Sequence, residues 1–427
     1  MQTVTECADK TPFAPTDLPV DLYTHLNFGF ALINDAGLIV SQHEDDLPLY
    51  KEMNDLKAKK PSLRTAITIG GWDMKMEHYS AMVSSAENRQ KFINSAIAFV
   101  REHGFDGLDF DWEYPADPKR GGRDADPENF VTFMMEMRAA ANAEVLKDKQ
   151  ERLILSIALP GGPFHGDYFH VPKLAEYADW FNIMAYNLHG PWESMVYCAA
   201  PLSDPAKDTE YNGYSLVDAV TSMAPKTVNP RKFNLGLSLS GVSFTLKDTT
   251  LTEPGAPAVG PGKEGCQEQG AMSYFEAKTI VSGTSIADTN ATQRQVTQAP
   301  KMDDVSKCMY MVVDNDQWIG YDTPETFAYK VNYLKDYGFG GVSIWSMDSD
   351  TKNHELTRSI RDTLDKGFVQ NLPTNMSTKD PIPGPSSTTL PNESKPESKG
   401  PISSGTRIQV KIASLLALVA LGGAVFA

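Results

Sequence analysis

The sequence predicts an α/β protein built as a parallel (β/α)8 barrel, with a small α+β insertion late in the chain. Three observations predict it. Short apolar runs recur from Tyr23 to Met347, helix-periodic stretches lie between them, and one run alternates acids with large apolar residues. Strands that alternate with helices pair in parallel through right-handed crossovers, and the helices cover the sheet.

Residues 2–19 show neither strand nor helix pattern, and no charged start leads into an apolar stretch as a secretion signal would. Tyr23–Ile33 reads as a buried strand closed by the turn residues Asn34, Asp35 and Gly37. Arg64–Trp72 is the next strand, followed by a helix over Ala86–His103. Further strands are expected over Gly107–Tyr114, Leu153–Pro160, Trp180–His189, Phe233–Ser240 and Gly340–Met347. Helices are expected over Asn129–Ala141 and Pro324–Tyr337. Seven strands are counted in this way, whereas a barrel of this class needs eight. The expectation is that one strand, the first, is missing from the chain as written. The stretch between Thr245 and Trp318 is longer than a crossover needs. It reads as an insertion over about 247–317, between strands 7 and 8 of the barrel, walling one side of a cleft.

The chain has 427 residues, of which 41% are hydrophobic, and a formal charge of -16. That is enough for one large domain over 1–366 plus appendages. The negative balance argues against unspecific attraction to nucleic acid or to anionic membranes. Residues 367–405 are rich in Ser, Thr, Pro and Lys, cannot bury a core, and read as a disordered stalk. Asn375 and Asn392 there, and Asn290 in the insertion, head sequons and are candidate N-glycosylation positions. Residues 406–427 end in the apolar run Ile412–Ala427, preceded by the small residues Ser403, Ser404 and Gly405. That arrangement reads as a cleaved signal for a glycosylphosphatidylinositol anchor, with a plain C-terminal membrane helix as the alternative. A membrane contact is expected only there. The four cysteines, Cys7, Cys198, Cys266 and Cys308, form no CxxC pair, so a zinc or thioredoxin-type motif has no support. They fit two disulfides or buried free thiols. Cys266 and Cys308 are the expected pair, since both fall in the inserted segment.

The chemistry concentrates in Asp106-Gly-Leu-Asp-Phe-Asp-Trp-Glu113. Side chains at i and i+2 on a strand share a face about 6.6–6.8 Å apart. Asp109, Asp111 and Glu113 therefore point one way, and the apolar Leu108, Phe110 and Trp112 point the other. The outward face of a barrel strand packs on helices, which turns the acids toward the axis. Two carboxylates about 6 Å apart repel by nearly 3 kcal/mol at an effective dielectric of about 20, or about two pKa units. Such a cluster retains a proton at neutral pH, and Glu113, nearest the mouth, is placed to deliver it as a general acid. A solvated acidic loop or a metal site would use the same acids, but strict alternation argues against the first, and the lack of a histidine at ligand spacing against the second.

These residues closely resemble the signature of glycoside hydrolase family 18, the chitinases, and in particular its long fungal members, over about Cys7 to Asp350. The pattern D-x-x-D-x-D-x-E is met by Asp106, Asp109, Asp111 and Glu113. Thr68-Ile-Gly-Gly71 resembles the family's Ser-x-Gly-Gly motif, Phe181–Gly190 its sixth-strand motif, and Gly340–Trp345 its eighth. The resemblance implies a retaining, substrate-assisted glycosidase, in which the 2-acetamido oxygen of the substrate attacks C1. Glu113 would be acid and then base, Asp111 would orient the acetamido N–H, and Asp109 would share a proton with Asp111. Tyr186 would donate to the acetamido oxygen and Trp345 would floor the sugar site. Phe30, Trp72, Gly71, Met184 and Asn187 would line the cleft. No cofactor and no metal is implied, and the expected partner is chitin or its oligosaccharides, bound by a monomer.

Some positions depart from the family pattern. Asn187 stands where Asp is usual, Ser240-Gly241-Val242 replaces a Tyr-Gly-Arg run, and Ser343 replaces a frequent Met. The leading expectation is an endo-acting chitinase, extracellular and lipid-anchored at a fungal cell wall. A non-hydrolytic chitin-binding protein on the same fold, or an endo-β-N-acetylglucosaminidase, would share most of these residues.

Overall fold

A computed structural model of the chain describes residues 13–366, apart from 148–149, 163–164, 207–208, 210–211, 267 and 284–293. The sequons at Asn290, Asn375 and Asn392, the stalk and the apolar C-terminal run lie outside the described residues.

The chain begins with β1 (His25–Ile33) and the short β2 (Ile39–Ser41), then α1 (Asp46–Asp55) and β3 (Arg64–Gly70). Helices α2 (Glu77–Val83) and α3 (Ala86–His103) lead to β4 (Gly107–Asp111), and α4 (Asp126–Ala143) to β5 (Ile154–Pro160). Next come α5 (Val171–Leu174), β6 (Trp180–Met184), α6 (Leu216–Met223) and β7 (Phe233–Ser238). An inserted unit follows, with strands β8 (Ser240–Leu246), β9 (Ala258–Pro261) and β10 (Ala271–Ser273), helix α7 (Tyr274–Ser282), and strands β11 (Val296–Asp303), β12 (Cys308–Val313) and β13 (Gln317–Tyr321). The chain then returns through α8 (Pro324–Tyr337) to β14 (Gly341–Trp345) and α9 (Glu355–Asp365).

The main sheet runs β14-β7-β6-β5-β4-β3-β1-β2, parallel throughout except for the antiparallel β1–β2 pair. It is a curled parallel sheet of the (β/α)8 class. Its seven parallel strands are the seven expected from the sequence, five of them ending two to five residues earlier where the prediction ran into the following loop. Only β1 and β5 end where expected. Among the described residues β14 pairs only with β7, and the Phe30 and Trp345 rings meet 5.7 Å apart across the space between β1 and β14.

Helix ends follow local chemistry. Ser85 accepts from the Asn88 amide to start α3, and Gly104, at φ 78°, ends it in the left-handed conformation that glycine adopts without a Cβ penalty. Thr323 caps α8, with Pro324 at its first position.

The inserted unit is wider than expected, since its antiparallel sheet begins at Ser240 and closes at Tyr321. The run Ser240-Gly241-Val242 is therefore not part of a barrel strand. β7 stops at Ser238, and Val242 is buried in the insertion's own apolar cluster. β12 is apolar on both faces. Tyr310 and Val312 join the cluster formed with Val196, Phe244 and Trp318, while Met311 and Val313 join the main core.

The expected Cys266–Cys308 disulfide is not formed. Cys308 on β12 is bonded to Cys198, in the loop after β6, and Cys266 is disulfide-bonded elsewhere. The reason is topological: β12 lies against that loop, and Cys198 and Cys308 are buried in one cluster, so spacing along the chain was a poor guide to proximity.

Candidate active site

The acids stand where the alternation of β4 puts them. Leu108 and Phe110 are fully buried on the helix side, Phe110 against Phe133 at 5.3 Å, and Trp112 stacks on Tyr79 at 4.9 Å. On the other side Asp109 and Asp111 are 5% and 7% exposed. β4 itself ends at Asp111, so Glu113 sits one step beyond the hydrogen-bonded strand. Asp106 plays a different part from the other acids of the motif. At the opposite end of β4 it accepts from the Thr65 amide at 2.8 Å and pairs with Lys57 at 2.7 Å, which fixes the starts of β3 and β4.

Asp109 is held by neighbouring strands. Its Oδ1 accepts from Ser156 Oγ on β5 at 2.5 Å and from Asn182 Nδ2 on β6 at 3.3 Å, and its Oδ2 accepts from Thr68 Oγ1 on β3 at 3.1 Å. Asn27 on β1 is a further hydrogen-bond partner. Asn234 on β7 donates to Asn182 Oδ1 at 3.0 Å, which turns the Asn182 amide nitrogen toward Asp109. Burial raises the Asp109 pKa above its usual value, and these bonds offset only part of that rise. Sequence reading did not single out Asn27, Ser156, Asn182 or Asn234. Each is a polar residue on a mainly apolar barrel strand, and that contrast was the available signal.

Asp111 is different. Its Oδ1 is buried and has no hydrogen-bond partner among the described residues. Burial first, then the charges of Glu113 and Asp109, push its pKa well above the usual carboxylate range, with Arg120 opposing. Glu113 is pushed up to about 7, chiefly by burial, against the opposing effects of its hydrogen bond with Tyr114 and of Arg120. The three acids thus keep a proton in the site near neutral pH, and Glu113 can hold or release it there. Tyr114 stacks on His165 at 4.1 Å.

The expected cleft residues gather at the same strand ends. A Cβ on Gly70 would come within 2.0 Å of the Asp111 carbonyl, and one on Gly71 within 2.8 Å of the Phe30 ring. Both glycines have positive φ, so this turn requires them. The Tyr186 ring packs over Gly236 of β7. Its phenol is raised well above the usual tyrosine range, first by burial and then by Asp111, Glu113 and Asp109, which places it beside the acids. Met184 ends β6 half-buried, and Asn187 is exposed at φ 50°. Trp72 is 61% exposed, with the Arg120 guanidinium 4.0 Å above its ring. Among the described residues, no group of three or more His, Cys, Asp or Glu side chains is placed to hold a metal ion.

The family model for glycosyl hydrolases family 18 matches residues 3–350. The chain belongs to this family. It is 34% identical to mouse chitotriosidase-1 over 395 residues, which cover 89% of this chain and 79% of the mouse protein. Among solved structures, the family 18 chain resembles the group IV chitinase of Ostrinia furnacalis in complex with allosamidin, at 27% identity and a TM-score of 0.75, covering 85% of this chain and 97% of that one. It also resembles human YKL-39, described as a pseudo-chitinase with retained chitooligosaccharide binding, at 30% identity and a TM-score of 0.72, covering 82% and 94%. Similar proteins include ones from mammals, nematodes, an insect and plants, and these support the family without pointing to its fungal branch.

Proposed function

We propose that the chain is a chitinase that hydrolyses β-1,4-linked N-acetylglucosamine polymers, with Glu113 as acid and base. The observation that carries this is the state of the adjoining pair: half-buried Glu113 has its pKa pushed up to about 7, and Asp111 beside it has a buried oxygen without a hydrogen-bond partner among the described residues. A general acid is most effective with a pKa near the working pH. Glu113 protonates the glycosidic oxygen as the acetamido oxygen of the substrate displaces it from C1, and Glu113 then takes a proton from the water that opens the resulting oxazolinium ion, so two inversions leave the configuration retained. Asp111 Oδ1 accepts the acetamido N–H, which orients that oxygen and stabilises the developing cation. Asp109, fixed by its hydrogen bonds, keeps Asp111 in register. The Tyr186 phenol, too basic to ionise, donates to the acetamido oxygen. Trp345 and Phe30 floor the site, and Trp72, Gly71, Met184 and Asn187 line its sides. Action within the polymer, as a monomer of a fungal cell surface, is part of the same reading, and the stalk and the apolar C-terminal run support the anchoring alone.

A non-hydrolytic chitin-binding role is the second reading, favoured by the pseudo-chitinase relative. Glu113→Gln separates the two. A chromogenic chitooligosaccharide is expected to be cleaved by the wild type, and the variant to lose about a thousandfold in kcat, or about 4 kcal/mol of barrier. Equal inertness of both proteins, with chitin binding retained, would establish the binding protein.

A further inference from the structure

Arg120 lies in the loop that follows the acid, in a short turn over Pro118–Arg120. Its amide donates to the Asp117 carbonyl at 3.1 Å, and Gly121, at φ 81°, ends the turn. The half-buried guanidinium makes three contacts at once. Nε donates to the carbonyl of Glu113, Nη2 donates to the carbonyl of Trp72, and the planar group lies 4.0 Å over the Trp72 ring. Trp72 otherwise stands largely in solvent, and among the described residues no other ring packs on it. With 61% of its surface exposed, Trp72 keeps much of the indole open beyond the part that Arg120 covers. A planar fork can stack and donate to two carbonyls together, whereas an ammonium cannot.

We propose that Arg120 is a positioning residue that clasps the Trp72 indole to the backbone of Glu113, so that a sugar ring seated on the open face of Trp72 is registered against the acid. This rests on the chitinase reading above. The loop after β3 carries the platform, the loop after β4 carries the acid, and Arg120 ties one to the other. Its charge has a second effect. The groups facing Glu113 are Asp111 and Tyr114 of its own segment, Asp73 from the loop after β3, and Tyr186 from the end of β6, and Arg120 is the cation among them. Removing that cation takes away a neighbour that favours ionised Glu113. The acid then stays protonated to higher pH.

The test compares Arg120→Met and Arg120→Lys with wild type on a chromogenic chitooligosaccharide across pH. Arg120→Met is expected to raise KM about tenfold and to move the alkaline limb of the profile up by about half a pH unit. Arg120→Lys is expected to raise KM with the limb in place, because it keeps the charge and loses the fork. In a Trp72→Ala background, Arg120→Met is expected to add no further KM penalty. A merely structural arginine would lower the melting temperature without moving the limb. Wild-type KM and an unmoved limb in Arg120→Met would overturn the proposal, as would an equal KM penalty with and without Trp72. If the wild type cleaves nothing, the chitinase reading fails, and calorimetric titration with chitotetraose decides the clasp separately. About tenfold weaker binding by Arg120→Met supports it; unchanged binding, or no binding by wild type, overturns it.

Discussion

β4 and β12 are both buried strands with alternating side chains, yet they use alternation for different ends. β12 is apolar on both faces, and its two cores differ only in which partners they collect. β4 gives one face to Phe110 and Leu108 and the other to two nearly buried carboxylates, met by Thr68, Ser156 and Asn182 from three neighbouring strands. Burying ionisable groups costs several kcal/mol unless hydrogen bonds and neighbours compensate. The insertion spends its strands on packing, whereas the barrel tolerates a costly polar interior at one place. The difference teaches that the acids of β4 persist because of the support around Asp109, and that the incompleteness of that support at Asp111 is where chemistry has room.

The comparison can be broken first on the outer face of the acid segment. Trp112→Ala removes a fully buried ring stacked on Tyr79 and edge-on to Phe130. A loss of about 3–5 kcal/mol of stability is expected by chemical denaturation. A loss below 1 kcal/mol would mean that the apolar half of this segment does not hold the acids in place.

On the insertion side, Cys198→Ala opens a cross-link that spans 110 residues. The expected cost is about 2–4 kcal/mol. Backbone bonds such as Val196 N–H to the Ala256 carbonyl, at 2.9 Å, also knit this loop to the insertion. Hydrolysis per folded molecule is therefore expected to survive, and its collapse in a folded variant would show that the insertion shapes the chemistry as well as the wall.

The smallest effect sharpens the electrostatic side. The Glu113 pKa is raised from 4.5 to about 7 in the fold, so the folded state binds this proton more tightly than the unfolded chain. The stability that comes from it is fully present below pH 4.5 and lost as pH rises through about 7. Glu113→Gln stays neutral throughout. Its stability relative to wild type should therefore grow between those limits, by up to about 3 kcal/mol. Melting curves at pH 4.5 and pH 8 measure it, and a constant difference would remove the premise of a buried, proton-holding acid. Cys198→Ala should show no such pH dependence, which separates the two regions.

Much of this was legible in the linear text. Helices α3 and α8 span the residues their periodicity predicts, with Ser85, Gly104, Thr323 and Pro324 as local punctuation. The seven parallel strands follow from short continuous apolar runs, and the shared face of Asp109 and Asp111 from alternation with a period of two. The strand ends were less legible, because Trp112 and Glu113 continue the alternation of β4, and the residues after Met184 keep a partly apolar run, after the ladder has stopped.

Which residues alternate, where helices start and stop, and which acids share a face are written locally in the chain, because these depend on neighbours a few positions away. That Cys308 meets Cys198, that Ser240 opens an antiparallel sheet, that Asn234 orients Asn182 beneath Asp109, and that Arg120 reaches back over Trp72 emerge only when the chain packs. Those pairings join residues far apart in the chain, and their partners are chosen by how the elements pack, which no local pattern records.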